Sequence, residues 1–279
     1  MDILDPAPGP ENIRRVAAGG ADFTLTSVTH YLTARAQAGP SGPGSGVAGD
    51  LPARFVSVVV RRSPMSGFVT ADSPLTTPAD LAGRRLGAPE TSRLVKEFRA
   101  GMDMLGLAQP ELVPCDYSLA PAAMARGEVD MVCDFVDLLP RIRRQAGAPV
   151  RPVPLGLDVY SSGLVAADRI PDEVVARLQS AIAAALEAQR LDPKAGLDEL
   201  DRRYPDADPI EAVEGWQLAV PNIFTGPVTP LAGPLGPRPG SSDPETWART
   251  IAHIAGAHGL PAPDPDTVFR RQLVDVPTP

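Results

Sequence analysis

Residues 81–107 read LAGRRLGAPETSRLVKEFRAGMDMLGL: a strand, a polar turn at Glu90-Thr91-Ser92, and an amphipathic helix that stops at Gly106. Hydroxyls and a carboxylate at a helix start can do either of two things. They can cap the helix by taking up its free N–H groups. They can instead work with those N–H groups and the positive helix end to hold a ligand. Ser27 and Thr29 stand at a similar turn, between ADFTLTS and VTHYLTARAQAG, and carry the same two readings. Asp134, followed by Phe135, closes the segment VDMVCDF. Its carboxylate can accept from an amine or hydroxyl of a ligand, or cap a helix over 136–144. Tyr160, Ser161 and Ser162 follow a further strand; a tyrosine there can stack on a flat ligand and donate its hydroxyl, or pack in the interior. Asp134, Glu90 and His30 are the candidates for acid–base work, although a lone helical histidine such as His30 is more often packed or on the surface.

Metal and cofactor chemistry find little support. His253 and His258 lie on one helical stretch, about 140° apart around its axis, so they do not share a face. Cys115 and Cys133 make no disulfide framework and sit in no zinc-like spacing. No cofactor is expected.

The elements that must position these residues follow from periodicity. PENIRRVAAGG is a helix stopped by Gly19-Gly20, and ADFTLTS a strand. RFVSVVVRR is a strong buried strand, with MSGFVTA as its apparent partner. From about 84 to 150 the pattern alternates: strand, helix, strand (ELVPCD), helix (LAPAAMARGE), strand (VDMVCDF), and a helix or turn in VDLLPRIRRQAG. Such alternation argues for a parallel sheet with helices on its faces. VRPVPLG and SGLVAA are two more strands. PDEVVARLQSAIAAALEAQRL is the longest helix, with Val174, Leu178, Ala181, Ala185 and Leu186 as its apolar stripe. A short helix within 192–209, a helix at PIEAVEGWQLAV, a Pro/Gly-rich stretch over 226–244, a helix at PETWARTIAHIAGAHG and an extended tail complete the chain.

Composition limits the function classes. With 279 residues, 43% of them hydrophobic, the chain can bury one large core or two. A net charge of −8 argues against nucleic acid, which wants a basic face. No apolar run approaches the roughly 20 residues that span a bilayer. The opening MDILDPAPGPENIRR has neither a basic nor an apolar leader region.

Two phrases echo one another: AAGGADFTLTS and MARGEVDMVCDF each run helix, glycine, aspartate (Asp22, Asp130) and strand with a polar end. This pattern resembles the type II periplasmic solute-binding family, whose two lobes repeat the same turn. DLAGRRLGAPETS resembles that family's Asp-Leu-x-Gly-x-x-Ile-Gly phrase with its polar helix start. SSGLVAADRIPDEVVARLQSAI resembles its return strand and long helix. TWARTIAHIAGAHGL with DPDTVF resembles the C-terminal end of the taurine/sulfonate and thiamine-precursor binding branch. The resemblance covers nearly all of residues 11–275.

It implies an α/β, two-lobed fold, each lobe a doubly wound, mostly parallel sheet flanked by helices. Residues 1–83 and 151–279 would form one discontinuous, N-terminally shortened lobe, and 84–150 the other. The ligand would sit between the lobes, held by Ser27, Thr29, Glu90, Thr91, Ser92, Asp134, Tyr160 and Ser161. Lobe closure would turn about crossings near 82–86 and 151–160. The implied function is that of a solute-binding protein for an ABC importer, carrying a small polar or aromatic organic ligand to a permease, and a monomer is expected. The alternative is a cytoplasmic enzyme on the same fold, a dehydratase or decarboxylase of a small cyclic acid or a pyrimidine-precursor synthase-like protein. The synthases of this fold carry a cysteine cluster that the chain lacks. A degenerate, non-binding form is a third reading.

Against the family pattern the chain opens at the second strand, so an initial strand and helix of roughly fifty residues are missing. A true start upstream, or a naturally short form, would each account for that. Localisation is cytoplasmic as the sequence is written, and extracytoplasmic if the start lies upstream.

Overall fold

The computed structural model describes residues 2–5, 7, 9–38, 51–224 and 242–270. Most of the Gly/Pro/Ser-rich loop after residue 38, most of the Pro/Gly-rich stretch (225–241) and the tail from 271 fall outside them. The chain divides into two units. One comprises Met1–Arg62, Asp158–Leu186 and Ile223–Pro279; the other comprises Ser63–Leu157 and Glu187–Asn222.

In the first unit, α1 (Glu11–Ala17) opens with an acidic residue, closes with Arg14 and Arg15, and buries Ile13 and Val16. Those charges suit the helix dipole. Strands β1 (Phe23–Ser27), β2 (Ala53–Val60) and β8 (Ser162–Ala167) form one sheet in the order β1-β8-β2. Both ladders run antiparallel to β8, so β1 and β2 are parallel to each other. Gly163 in β8 makes the close approach possible: a Cβ there would lie 2.1 Å from the Ser57 carbonyl oxygen. Helices α2 (Val28–Gln37), α6 (Asp172–Leu191), α9 (Pro244–His258) and α10 (Pro265–Val268) complete the unit's described elements, the division between units falling within α6. The core joins Tyr31, Phe55, Tyr160, Trp247 and Phe269 through aromatic contacts of 5.0–5.6 Å between ring centroids. On α6 the face turned to this core runs through Val174, Val175, Leu178 and Ile182. Ala181 and Ala185, expected on that stripe, are exposed.

In the second unit, β3 (Met65–Thr70) pairs with β6 (Val132–Phe135) and β7 (Val150–Pro154), and β4 (Arg85–Ala88) pairs in parallel with β5 (Glu111–Pro114). A parallel bridge from Leu86 to Met131 joins the two sets. The line-up is therefore β5-β4-β6-β3-β7, with β3 antiparallel to the rest. This corrects the expected pairing of β2 with β3: β3 is buried on both faces and lies within the second unit's sheet. Residues 63–83, 151–157 and 187–222, expected with the first lobe from the sequence, group with the second unit. Cys115 and Cys133 are free thiols, with β4 between β5, which Cys115 follows, and β6, which holds Cys133.

Helices α3 (Arg93–Met104), α4 (Ala120–Ala125), α5 (Leu139–Ala146), α7 (Leu197–Arg203) and α8 (Pro209–Phe224, up to Asn222), with short 3₁₀ turns at Pro78–Leu81 and Val136–Leu138, belong to this unit. Helix α8 lies against the 3₁₀ turn: a Cβ on Gly215 would stand 2.7 Å from the Asp137 carbonyl oxygen. Ion pairs Arg143–Glu214 and Arg144–Glu211 tie α8 to α5. The two echoing aspartates are structural. Asp130 accepts from the Arg85 backbone N–H at 2.8 Å and from its guanidinium at 2.7 Å, and Asp22 takes Arg169 at 2.7 Å.

Candidate functional site

Strands β4, β5 and β6 run parallel, and the chain leaves each at the same edge of the sheet. Ligands in open α/β sheets bind beyond such C-terminal ends. After β4 comes the turn Pro89–Ser92, closed by the Ser92 N–H donating to the Pro89 carbonyl at 3.1 Å. Glu90 and Thr91 are the exposed centre of that turn. Ser92 is buried and caps α3, its hydroxyl accepting the Val95 N–H at 3.1 Å. After β5 comes Tyr117, whose hydroxyl is hydrogen-bonded to that of Ser92. At the end of β6 is Asp134, half-buried, with Oδ1 accepting the Phe135 N–H at 2.9 Å. It caps neither following helical segment, so that reading of Asp134 is set aside.

Tyr117 and Asp134, with Leu94, Ala120, Pro121, Val132, Cys133, Leu138, Arg141, Ile142 and Gln145, line a cavity of about 180 Å³. Helices α4 and α5 supply walls of the cavity, and Ala120, Leu139 and Ile142 on them join the same apolar cluster as Val132 of β6. Burial pushes the Asp134 carboxyl up to about 6, with Asp137 adding to the rise and Arg141 opposing it. Burial also pushes up the Tyr117 hydroxyl and the Cys133 thiol. A wider groove of about 830 Å³, over α5, α7 and α8, shares Leu138 and Arg141 with this cavity.

The remaining candidates are in the first unit. Ser27 caps α2, its hydroxyl accepting the His30 N–H at 3.1 Å. It is the β-partner of Ser162, and the Ser161 carbonyl accepts the Val28 N–H at 2.9 Å. Ser27, Ser161 and Ser162 thus come together, with Thr29 buried one residue into α2. Tyr160 packs in the interior of this unit. It is 1% exposed, its ring meets Trp247, and its hydroxyl accepts the Asp243 N–H at 2.7 Å.

Sequence reasoning passed over Tyr117 and Arg141. Tyr117 had a usable signal, since it follows ELVPCD at the end of a parallel strand, where the turns before Ser92 and after Asp134 had already been singled out. Arg141 had none, because nothing in a helix of three arginines marks the one at a cavity.

The chain matches the profile of the family described as NMT1/THI5 like over residues 1–195. Comparison with curated proteins gives no match. Among solved structures it is similar to the periplasmic aliphatic sulphonate binding protein SsuA from Escherichia coli, with TM-score 0.56, 18% identity, and coverage of 94% of this chain and 80% of that one. The alkanesulfonate-binding protein SsuA from Xanthomonas axonopodis pv. citri, bound to MOPS, gives TM-score 0.55 at 16% identity, over 93% and 83% of the two chains. A putative periplasmic sulfonate-binding protein from Methylobacillus flagellatus KT gives 0.58 at 14%, over 95% and 77%. At these identities the likeness is one of fold: a two-lobed, α/β periplasmic-binding-protein-like architecture.

Proposed function

The chain belongs to the NMT1/THI5-like family, and from that premise we propose that it is the solute-binding component of an ABC-type importer, carrying a small polar or aromatic organic molecule. One observation carries this reading. At the C-terminal edge of three neighbouring parallel strands, Tyr117 and Asp134 line one cavity, and Ser92 is bonded to Tyr117. That is where an open α/β sheet presents a ligand site. Glu90 and Thr91, exposed in the turn before Ser92, are further contacts in this unit. Ser27, Thr29 and Ser161 are the candidates from the first unit. The names of the similar structures, all of them binding proteins and one a transporter component, support the same reading. It brings with it a permease as partner, a monomeric chain and an extracytoplasmic place of work.

The enzyme alternative needs an acid–base pair in reach of a substrate. Here the Tyr117 hydroxyl at the cavity is bonded to that of Ser92, which also caps a helix. The test is a thermal-shift screen of small organic cations, anions and neutral rings, followed by calorimetry on the hits. Saturable one-to-one binding without turnover is expected. Consumption of a bound compound would favour the enzyme, and failure of every class to bind would remove the transport reading.

A further inference from the structure

We propose that the cavity beside Asp134 receives the amine or amidine of a small ring-bearing organic cation, so that the carried solute is a cation and not an anion. The inference rests on the solute-binding reading and names its ligand class.

Size comes first. An apolar cavity of about 150 Å³ is enough to hold benzene, so the roughly 180 Å³ found here fits a six-membered ring with one short substituent. The walls suit a ring: Leu94, Ala120, Pro121, Val132, Leu138 and Ile142 are apolar.

The polar groups then fix the sign of the charge. Asp134 brings a carboxylate to this lining, and an ionised carboxylate can only accept hydrogen bonds. Its Oδ1 has the Phe135 N–H, while Oδ2 has no hydrogen-bond partner among the described residues. The Tyr117 hydroxyl is engaged with Ser92, yet its ring still lines the cavity, where an aromatic face attracts a cation. Arg141 is exposed, so solvent and salt screen its charge, and it makes no ion pair with Asp134. A half-buried carboxylate that no cation pairs with directly is costly. An ammonium or amidinium supplies both the charge and the missing donor. A sulfonate would instead place a second negative charge beside Asp134, which is repulsive in a site of lowered dielectric. The raised Asp134 carboxyl agrees, since burial raises it and the Phe135 N–H and Arg141 offset that only in part.

The experiment is isothermal titration of the full chain with benzylamine, benzamidine, benzyl alcohol and benzenesulfonate, on the parent protein and on Asp134→Asn. The two cations are expected to bind best, and the substitution to weaken them tenfold or more while leaving benzyl alcohol within about threefold. A second variant, Leu138→Phe, narrows the cavity without touching the carboxylate and is expected to weaken all ring ligands together. Benzenesulfonate binding as tightly as benzamidine, or cation affinity unchanged in Asp134→Asn, overturns the cation assignment and leaves the solute-binding reading standing. If no probe of any charge binds, and the wider screen is equally silent, both fall.

Discussion

The hydroxyl of Tyr117 is hydrogen-bonded to the hydroxyl of Ser92, the residue that caps α3. One side chain thus ends a helix and fixes an aromatic ring that lines the cavity beside Asp134. If the two act as a unit, their contributions to stability are coupled. Ser92→Ala is expected to cost about 0.5–2 kcal/mol for the lost cap, and Tyr117→Phe about 0.5–1.5 kcal/mol for one hydrogen bond. The double variant should cost less than the sum, by at least about 0.5 kcal/mol. Urea melts of the four proteins measure this, and strict additivity would show that the hydroxyl pair contributes nothing.

Thr91 separates ligand contact from helix capping. It is exposed at the centre of the turn, whereas the capping hydroxyl belongs to Ser92. Thr91→Ala should therefore shift stability by no more than about 0.5 kcal/mol. If Thr91 holds solute, its loss should still weaken binding several-fold. Calorimetry with a hit from the ligand screen, beside thermal melts, gives both numbers. Unchanged affinity would leave Thr91 as a surface turn residue.

Tyr160 is expected to behave in the opposite way. Its ring packs against Trp247 and its hydroxyl accepts the Asp243 N–H at 2.7 Å. Tyr160→Phe keeps the packing and strands that N–H, at a cost of about 1–3 kcal/mol. Solute affinity should stay within twofold. A stable variant with lost binding would restore Tyr160 to the site.

Most of the element order was legible because helix stops and starts are local chemistry. Ser27 and Ser92 both cap the helices that their positions suggested. The partner of β2 was not legible. Adjacent strands joined by a short connection suggest a hairpin, but β3 is apolar on both faces and goes to the centre of another sheet. That choice depends on strands more than 60 residues away. Tyr160 carries two readings for a related reason: ring and hydroxyl suit a ligand or a core equally, and Trp247 and Asp243, which it meets, lie more than 80 residues on. Asp134 was found because a carboxylate closing an apolar strand is conspicuous. The cavity beside it was not, since it is made by three helices meeting over that strand.

Asp134 also gives a pH prediction with a definite sign. Burial raises its carboxyl from the ordinary 3.8 to about 6 in the folded protein. Asp137, whose carboxyl burial also raises, Arg141, Tyr117 and Cys133 are the titratable or charged groups around it. A folded state with the higher value binds more protons than the unfolded chain between roughly pH 4 and 6, so this group's contribution to stability falls as pH rises through that window. Above about pH 6 the ionised carboxylate is a standing penalty, on the order of 1–3 kcal/mol for a shift of this size. Asp134→Asn removes the charge and keeps the shape. The variant is therefore expected to be more stable than the parent at pH 7, and the advantage to shrink as pH falls toward 4. Other carboxyls titrate in the same range, and Asp130, held down by Arg85, works in the opposite direction. The quantity to follow is thus the difference between parent and variant in urea melts at pH 4, 5, 6 and 7. A variant less stable than the parent at pH 7, or a difference that does not change with pH, would mean that the carboxylate is already compensated in the empty protein. It would then have little need of a cationic solute.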